Sequence, residues 1–313
     1  MRPLRLVPDG TTIQFMRGRF AGLIGSAILS TLSVVLFFYP GLNLGVDFRG
    51  GAVVELRGPQ ALQVDKIREA FSPLGFGDLR VQEFGSPQDR PGSLREQGEP
   101  PGRAAYDHDP SSRGTARRQI RRTEVVGAKV SGELFRNGLL ATGLALAAVL
   151  VYIWFRFEWQ FCVGVVATLI LDITKTVGFF AVTQIEFDLN SVAALLTLIG
   201  YSVTDKVVVY DRIRENLGKY RTMPLRQLID LSINQTLGRT VVTSLTVVLS
   251  ILPLALIGGE VMRGFGLAII FGIIIGTSSS IFIASPILLF LGEKRLRPSQ
   301  TRAPQPTAGA AAR

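Results

Sequence analysis

The sequence is poor in the side chains that most often build metal, disulfide and acid–base sites. Among its 313 residues it has one cysteine, Cys162, and one histidine, His108. One cysteine excludes both an internal disulfide and a cysteine metal cluster, so we predict neither a metal nor a cofactor. Cys162 is most simply a small hydrophobe and His108 an exposed polar residue. Function must therefore come from other side chains.

Charged residues are also scarce, at 19% of the chain, whereas hydrophobic residues make up 47%. Several apolar runs of about 20 residues place the sequence among polytopic α-helical membrane proteins and exclude an ordinary soluble enzyme. The formal net charge of +10 would suggest nucleic acid binding in a soluble protein. Here the basic residues flank apolar runs, where they orient helices and meet anionic lipid head groups. We expect membrane lipids as partners, and no nucleic acid.

Six apolar runs are long enough to cross a bilayer as helices, because each residue adds 1.5 Å of rise. They cover residues 20–39, 139–155, 161–182, 191–210, 240–257 and 265–291. The first run resembles the core of a signal peptide. Its length and the lack of a small-x-small cleavage site favour an uncleaved spanning helix.

Basic residues between the apolar runs predict the orientation of the helices. They cluster before the first run and after the second, fourth and sixth runs, whereas the two short opposite loops contain only Arg263 as a cation. Both termini should therefore be cytoplasmic. The predicted organisation is a cytoplasmic N-terminus (1–19), a first spanning helix (20–39), an extracytoplasmic domain (40–135), five further helices (136–292) and a cytoplasmic tail (293–313).

The extracytoplasmic domain shows alternating strand and helix signals. GVDFRGG, residues 45–51, predicts a turn that enters a strand, because its glycines permit tight backbone geometry. A helix over 59–71 and strands over 79–84 and 120–126 complete a small α/β pattern. Residues 86–119 are dense in Gly, Pro, Arg and Ser, and we predict that this tract is disordered or aberrant, either a compensated frameshift or a lineage-specific insert. A two-layer α/β fold would lack a strand and a helix there.

Asp205 is the side chain that most needs explanation, because it lies inside an apolar run. A charge in the bilayer costs about 2.5–3.5 kcal/mol on insertion scales, so such a residue is by default functional. Tyr201 and Ser202, at i−4 and i−3, can hydrogen-bond its carboxyl group. Lys206 follows it directly.

Two other spanning segments carry polar groups. Asp172 and Lys175 share a face of the third segment at i, i+3, where a structural ion pair and a transport role both remain open. The fifth segment has a polar stripe around Arg239, although a snorkelling arginine would explain that residue alone. The stripe comprises Thr236, Arg239 or Thr240, Thr243 and Thr246. Gly272 and Gly276 form a frequent GxxxG pattern that indicates no particular contact.

Several motifs together closely resemble the SecD/SecF family of Sec translocase subunits, within the resistance–nodulation–division superfamily. They are GVDFRGG, RFEW, GYSVTDKVVVYDRIREN, PLRQLIDLSINQT, GGEVMRGF and ASPILL. The resemblance implies six spanning helices with a ferredoxin-like extracytoplasmic domain, in the bacterial inner membrane. It also implies a SecD partner, the SecYEG channel, a translocating preprotein, and YajC and YidC as further candidate partners. The implied activity is export driven by the proton-motive force, so we expect no enzymatic reaction.

The resemblance further implies that Asp205, Arg239 and Thr243 couple protons to transport. Lys206 and Lys175 depart from the family pattern. They could act on Asp205, or they could pair with Asp172 as secondary intramembrane ion pairs and leave Asp205 free, and the sequence leaves both open.

In physical terms, an ionised Asp205 would be drawn to a cation and a protonated one would not, so proton binding could switch two helices between packings. Two alternatives remain at this level. One is half of a proton-driven exporter of small molecules or lipids, and the other is a structural subunit without proton coupling.

Overall fold

The computed structural model describes residues 8, 11–57, 80–84, 93–98, 119–126 and 128–291. The chain divides into two units. One comprises Met1–Leu42, Gly143–Ile185 and Ala193–Arg313, and the other comprises Asn43–Thr142 and Glu186–Val192. Each unit has its own internal architecture.

Within the described residues, six helices are long and apolar enough to cross a membrane, in agreement with the predicted number of spans. Helices α1 to α5 are Arg19–Phe38, Ala128–Arg156, Trp159–Thr183, Leu189–Lys219 and Leu225–Ile257. Helix α6 begins as Glu260–Ser279, continues through a π-helical turn at Ser280–Ala284 and ends as Ser285–Leu291. Most helices are longer than the predicted apolar runs. The predictions counted only apolar residues, whereas the helices continue into polar residues in their first or last turns.

Three of the six helices form the interior of the first unit. About half of the apolar stretch of α3, α4 and α6 is buried, against about a tenth or less for α1, α2 and α5. Phe161 and Tyr210 are fully buried where α3 and α4 meet, with ring centroids 5.2 Å apart. The polar residues of α3, α4 and α6 consequently lie in a packed interior.

Small residues allow the helices to approach closely. A Cβ atom at Gly178 of α3 would lie 2.8 Å from the Cα of Ser33 on α1. A Cβ at Gly272 of α6 would lie 2.9 Å from the Cγ of Leu198 on α4, and one at Gly276 would touch Ser202. The GxxxG pattern of α6 therefore faces α4, a contact that the sequence alone did not specify.

The segment before α1 is fixed to the start of α5. The side chain of Asn234 accepts a hydrogen bond from the Ile13 amide at 3.0 Å and donates to the Ile13 carbonyl at 2.8 Å. The Met16 amide donates to Asp230 at 2.8 Å, and the Met16 side chain is buried. These contacts hold the chain where it enters the first spanning helix.

The second unit contains a four-stranded antiparallel sheet. Its strands are β1 (Gly51–Arg57), β2 (Arg80–Phe84), β3 (Ser93–Gly98) and β4 (Gln119–Val126). The order across the sheet is β2-β3-β1-β4, so the Val-rich β1 is central and pairs with both β3 and β4. The register of β1 against β4 shifts between Glu55 and Leu56, where β4 contains one extra residue.

Strand β3 corrects the prediction of disorder in part of residues 86–119. Residues 93–98 form a strand although their sequence, SLREQG, has little β-propensity. They pair on one side with β1 and on the other with β2, so hydrogen bonds to two neighbours compensate for the weak propensity. The rest of the tract and the helix predicted over 59–71 lie outside the described residues.

The GVDFRGG motif is a turn that enters β1, as predicted. Val46–Arg49 forms one helical turn, and Gly50 has φ +75°, a conformation that favours glycine. Asp47 accepts a hydrogen bond from the amide of Leu189 at 3.1 Å. Since Leu189 is the first residue of α4, this carboxylate satisfies an amide that has no partner within the helix.

Candidate functional site

Asp205 lies in the interior of the helices, as its apolar flanks predicted. The residue is 6% exposed, and its Oδ1 accepts a hydrogen bond from the hydroxyl of Thr240 on α5 at 2.9 Å. Its Oδ2 is buried without a hydrogen-bond partner among the described residues. The carboxyl group therefore has one donor and one oxygen where a proton can be held.

The structure brings Asp205 to Thr240 and not to the other two residues that the family resemblance implied. Arg239 and Thr243 are both exposed, and the Thr243 hydroxyl donates to the carbonyls of Arg239 and Thr240 at 3.0 Å. Adjacent helical residues differ by about 100° around the axis, so Thr240 and Arg239 cannot face Asp205 equally. A role for Arg239 and Thr243 in coupling stays a prediction.

A second buried carboxylate, Asp172 on α3, is the centre of a larger polar cluster. Its Oδ2 accepts hydrogen bonds from Lys206 at 2.8 Å, from Ser202 at 2.8 Å and from Ser279 at 2.7 Å. Lys206 is fully buried. It also donates to the Ser202 carbonyl at 3.3 Å and to the Ser202 hydroxyl, so all three of its protons have acceptors.

Lys175 is a second cation at the same carboxylate. Its Nζ lies 3.9 Å from Asp172 Oδ1, and its side chain is 3% exposed. The two groups therefore lie within ion-pair distance, although this distance is longer than that of the Lys206–Asp172 pair. Whether the pair is structural or takes part in transport stays a prediction. The structure combines the two arrangements left open by the sequence: Lys206 pairs with Asp172, and its charge also acts on Asp205.

Two predicted hydrogen bonds to Asp205 are absent. Ser202 donates to Asp172 instead, and Tyr201 donates to Ser244 on α5 at 2.8 Å. Ser244 is in turn hydrogen-bonded to Thr277 on α6 at 2.8 Å. Tyr201 and Ser202 lie one turn before Asp205 on its own helix, but acceptors on neighbouring helices compete for both hydroxyl groups.

Sequence reasoning did not identify the serines of α6 as part of the site. Ser279 donates to Asp172, and Ser280 lies beside the Asp205 carboxyl while its hydroxyl donates to the Thr277 carbonyl at 2.8 Å. The signal was present as TSSS, residues 277–280, inside an otherwise apolar helix. The π-helical turn begins at Ser280, and such turns occur often at functional sites.

The charges of the site balance. With all four side chains ionised, the carboxylates Asp172 and Asp205 offset the ammonium groups Lys175 and Lys206. Binding one proton at Asp205 would leave one uncompensated positive charge in a buried site, where such a charge is costly. The described residues contain no cluster of three or more His, Cys, Asp or Glu side chains that could hold a metal.

This arrangement is suited to binding and releasing protons inside a membrane. Two carboxylates and two amines on α3 and α4 lie within an apolar shell, and hydroxyl groups from α5 and α6 reach them. The hydroxyl donors and the carboxylates that accept their hydrogen bonds lie on different helices. A change in the protonation of a carboxylate therefore alters contacts between helices.

Two family models match the chain. The model "Protein export membrane protein SecD/SecF, C-terminal" covers residues 109–294, and the model "SecD/SecF GG Motif" covers residues 35–58. The chain is 43% identical to a protein translocase subunit SecF of Cereibacter sphaeroides, over 95% of both sequences. It is 40% identical to a protein translocase subunit SecF of Rickettsia bellii, over 94% of this chain and 98% of that one.

A solved structure shares this fold. The crystal structure of SecDF from Thermus thermophilus, described as a translocon-associated membrane protein, superposes with a TM-score of 0.80 at 33% sequence identity. The match covers 90% of this chain and 39% of the SecDF chain, so this chain spans about two fifths of that protein's length.

Proposed function

The chain belongs to the SecD/SecF family of protein export membrane proteins, and on this premise we propose that it is the SecF-type subunit of a protein translocase. In the proposed reaction it works with SecD and uses the proton-motive force to complete the export of preproteins through SecYEG. It transports a polypeptide and catalyses no bond cleavage. YajC and YidC are further proposed partners in the same membrane.

The observation that carries this proposal is the buried carboxyl group of Asp205 on α4. It has one hydroxyl donor, from Thr240 of α5, and a second oxygen without a partner among the described residues. A structural carboxylate at this depth would be expected to have its charge compensated by a direct ion pair. Asp172 has such pairs, whereas Asp205 has none among the described residues.

The proposed mechanism starts with a proton that reaches Asp205 from the outer side of the membrane. The protonated carboxyl needs no cation and can keep its Thr240 contact, whereas the ionised form attracts the nearest positive charge. We propose Arg239 as that charge in a second packing of α4 and α5, with Thr243 on the same exposed turn. Each proton that crosses the membrane releases about 2.3 kcal/mol per 100 mV of potential, so a few protons can drive a large motion.

The proposal includes an orientation and a domain. Both termini are cytoplasmic, in the bacterial inner membrane, and residues 40–135 form a ferredoxin-like domain outside the cytoplasm that contacts the emerging preprotein. The strand order β2-β3-β1-β4 with antiparallel neighbours supports this fold. Alkaline phosphatase fused near residue 86 should be active and near residue 300 inactive; the reverse pattern would refute the orientation.

The decisive experiment for the function replaces Asp205 with asparagine. Asp205→Asn keeps the size of the side chain and can still accept the Thr240 hydrogen bond, but it cannot ionise. Reconstituted with SecD in vesicles, this variant should assemble normally and lose proton flux and proton-driven export. Asp211→Asn is the matched control on the same helix, because the Asp211 side chain is partly exposed and paired with Arg156.

Other outcomes would favour the alternative functions. Normal export and proton flux by Asp205→Asn would indicate a structural subunit and move the coupling to other residues. Proton flux without preprotein movement, but with movement of a lipid or small molecule, would indicate half of an exporter.

A further inference from the structure

Helix α4 belongs in part to each of the two units. Its first residues, up to Val192, are grouped with the four-stranded sheet, whereas the part from Ala193 onward, which includes Asp205, is grouped with the other unit. The helix is continuous over Leu189–Lys219 and contains no proline. At 1.5 Å of rise per residue, Asp205 lies about 24 Å along the axis from the first residue. The helix can therefore carry a displacement at Asp205 to its own start.

The chain that leaves α1 is hydrogen-bonded to the loop between α3 and α4. The side chain of Gln184 donates to the Gly41 carbonyl at 3.0 Å. The amide of Phe187 donates to the Asn43 carbonyl at 2.7 Å. The amide of Gly45 in turn donates to the Phe187 carbonyl at 2.9 Å. The two segments run side by side and bring the GVDFRGG turn to the start of α4.

Asp47 of this turn reaches the first amide of α4. Its Oδ2 accepts a hydrogen bond from the Leu189 amide at 3.1 Å. The helix start is capped without this contact, because Asp188 Oδ1 accepts hydrogen bonds from the amide and the hydroxyl of Ser191, each at 2.8 Å. Helix α4 thus has one cap from its own sequence and a second carboxylate from the turn that enters β1. The Asp47 contact joins two elements as well as satisfying an amide.

The turn that carries Asp47 is fixed to the sheet. Val46–Arg49 is one helical turn whose first residue is buried. Strand β1 follows this turn and pairs with both β3 and β4. The ring of Phe48 packs against Phe135 of α2 and against Phe187, with centroids 5.5 Å and 5.9 Å away. A displacement of Asp47 therefore also displaces the sheet.

We propose that Asp47 is a positioning residue for transport, which transmits movement of the Asp205 helix to the sheet through its hydrogen bond to Leu189. The inference rests on the proposed proton-driven function and deepens it. Helices shift by about 1–2 Å in many allosteric transitions. A shift of that size away from Asp47 would stretch the 3.1 Å bond beyond hydrogen-bond distance unless the turn moved with the helix.

Export and proton flux, measured in the same vesicles with SecD and SecYEG, separate transmission from proton binding. Asp47→Ala should keep proton flux at the wild-type level while export falls at least about 5-fold, the factor that corresponds to losing a capping contact of about 1 kcal/mol. Asp47→Asn keeps an oxygen that can accept the Leu189 hydrogen bond, so it should export like the wild type. Normal export by Asp47→Ala, or an equal loss in Asp47→Asn, would overturn the inference.

Asp188→Ala is the matched control at the same helix end. It removes the cap that α4 has from its own sequence and leaves the Asp47 contact in place. A merely structural role for Asp47 would lower export by a similar factor in the two alanine variants. We expect Asp188→Ala to export like the wild type, and equal losses in both variants would contradict the inference.

Amide exchange of the turn tests the link without transport. Asp205→Asn holds this side chain uncharged, so the exchange rates of residues 45–51 should differ from those of the wild type by at least about 2-fold, the lower limit for coupled residues. The same comparison in the Asp47→Ala background should show no difference. Unchanged rates in the first comparison would overturn the inference even if Asp47→Ala did not assemble with SecD, and so would the same change in both backgrounds.

Failure of this inference and failure of the proposed function give different results. If Asp205→Asn loses proton flux while Asp47→Ala exports normally, the proposed function stands and the inference fails. If Asp205→Asn conducts protons normally, the proposed function fails, and the exchange rates still report whether Asp47 connects the Asp205 helix to the sheet.

Discussion

One carboxylate serves two buried ammonium groups, so its removal should cost more than the removal of either cation. Breaking a buried ion pair by deleting one partner typically costs about 3–5 kcal/mol. In Lys206→Met, Asp172 would retain the Ser202 and Ser279 hydroxyls and Lys175, so we expect a loss of stability near the lower limit, about 3 kcal/mol. Asp172→Asn would leave both lysines without a counter-charge, and we expect about 5 kcal/mol.

A double-mutant cycle sharpens this prediction. The double variant Lys206→Met/Asp172→Asn should be less destabilised than the sum of its single changes by about 1–3 kcal/mol, because the two groups are in direct contact. The matched control is the ion pair between Arg156 and Asp211, in which both side chains are about two fifths exposed. Asp211→Asn should therefore cost less than about 1 kcal/mol.

The measurement is reversible unfolding of the purified protein in mixed micelles, followed by tryptophan fluorescence against denaturant fraction. A smaller loss of stability in Asp172→Asn than in Lys206→Met, or values for both within about 1 kcal/mol of the Asp211→Asn control, would refute this prediction. Either outcome would mean that Lys175 and Lys206 do not depend on the same carboxylate.

Two further predictions concern packing and capping. Gly178→Ala should destabilise the protein by about 1–3 kcal/mol, because the new methyl group would overlap Ser33 on α1, whereas Gly143→Ala, with open space around its Cβ, should be neutral or stabilising by up to about 1 kcal/mol in the same unfolding assay. Asp47→Ala should cost about 0.5–2 kcal/mol and speed amide exchange at Leu189, whose N–H loses its acceptor. Equal exchange rates in Asp47→Ala and the wild type would contradict the proposed cap.

The number of helices and the depth of Asp205 could be predicted because each depends on one segment of the chain. Apolar runs of about 20 residues in a chain with 19% charged residues leave few alternatives to spanning helices. An ionisable residue inside such a run must face protein or water. Both inferences need length and composition but no knowledge of neighbouring helices.

The partners of the buried charges could not be predicted in the same way. Lys206 can act on Asp205, its neighbour on α4, or pair with Asp172 on α3, and the rotation of α3 against α4 decides between the two. Either arrangement places a cation beside a carboxylate, so charge alone does not distinguish them. The choice between Arg239 and Thr240 depends on about 100° of rotation of α5. Side-chain fit between helices decides rotations of this kind; between α6 and α4, for example, Gly272 closely approaches Leu198.

Strand β3 shows the same limit in the second unit. Its six residues, SLREQG, contain one large apolar side chain, so no alternation could signal a strand. The sheet gives this segment its structure, because β1 and β2 present unpaired backbone groups on either side of it. Local sequence cannot report an element that its neighbours impose.

The π-helical turn Ser280–Ala284 adds one residue to α6 relative to a regular helix. That surplus residue rotates everything after it by about 100°, and Tyr210 of α4 holds the rotated end by donating to the Ala284 carbonyl at 2.9 Å. If the π-helical turn moved one turn toward the start of α6, only the residues between its old and new positions would rotate about the helix axis. Ser279 and Ser280 are among them, so a local change of helix winding could withdraw the Ser279 hydroxyl from Asp172 and move Ser280 away from Asp205 while both ends of α6 stay in place.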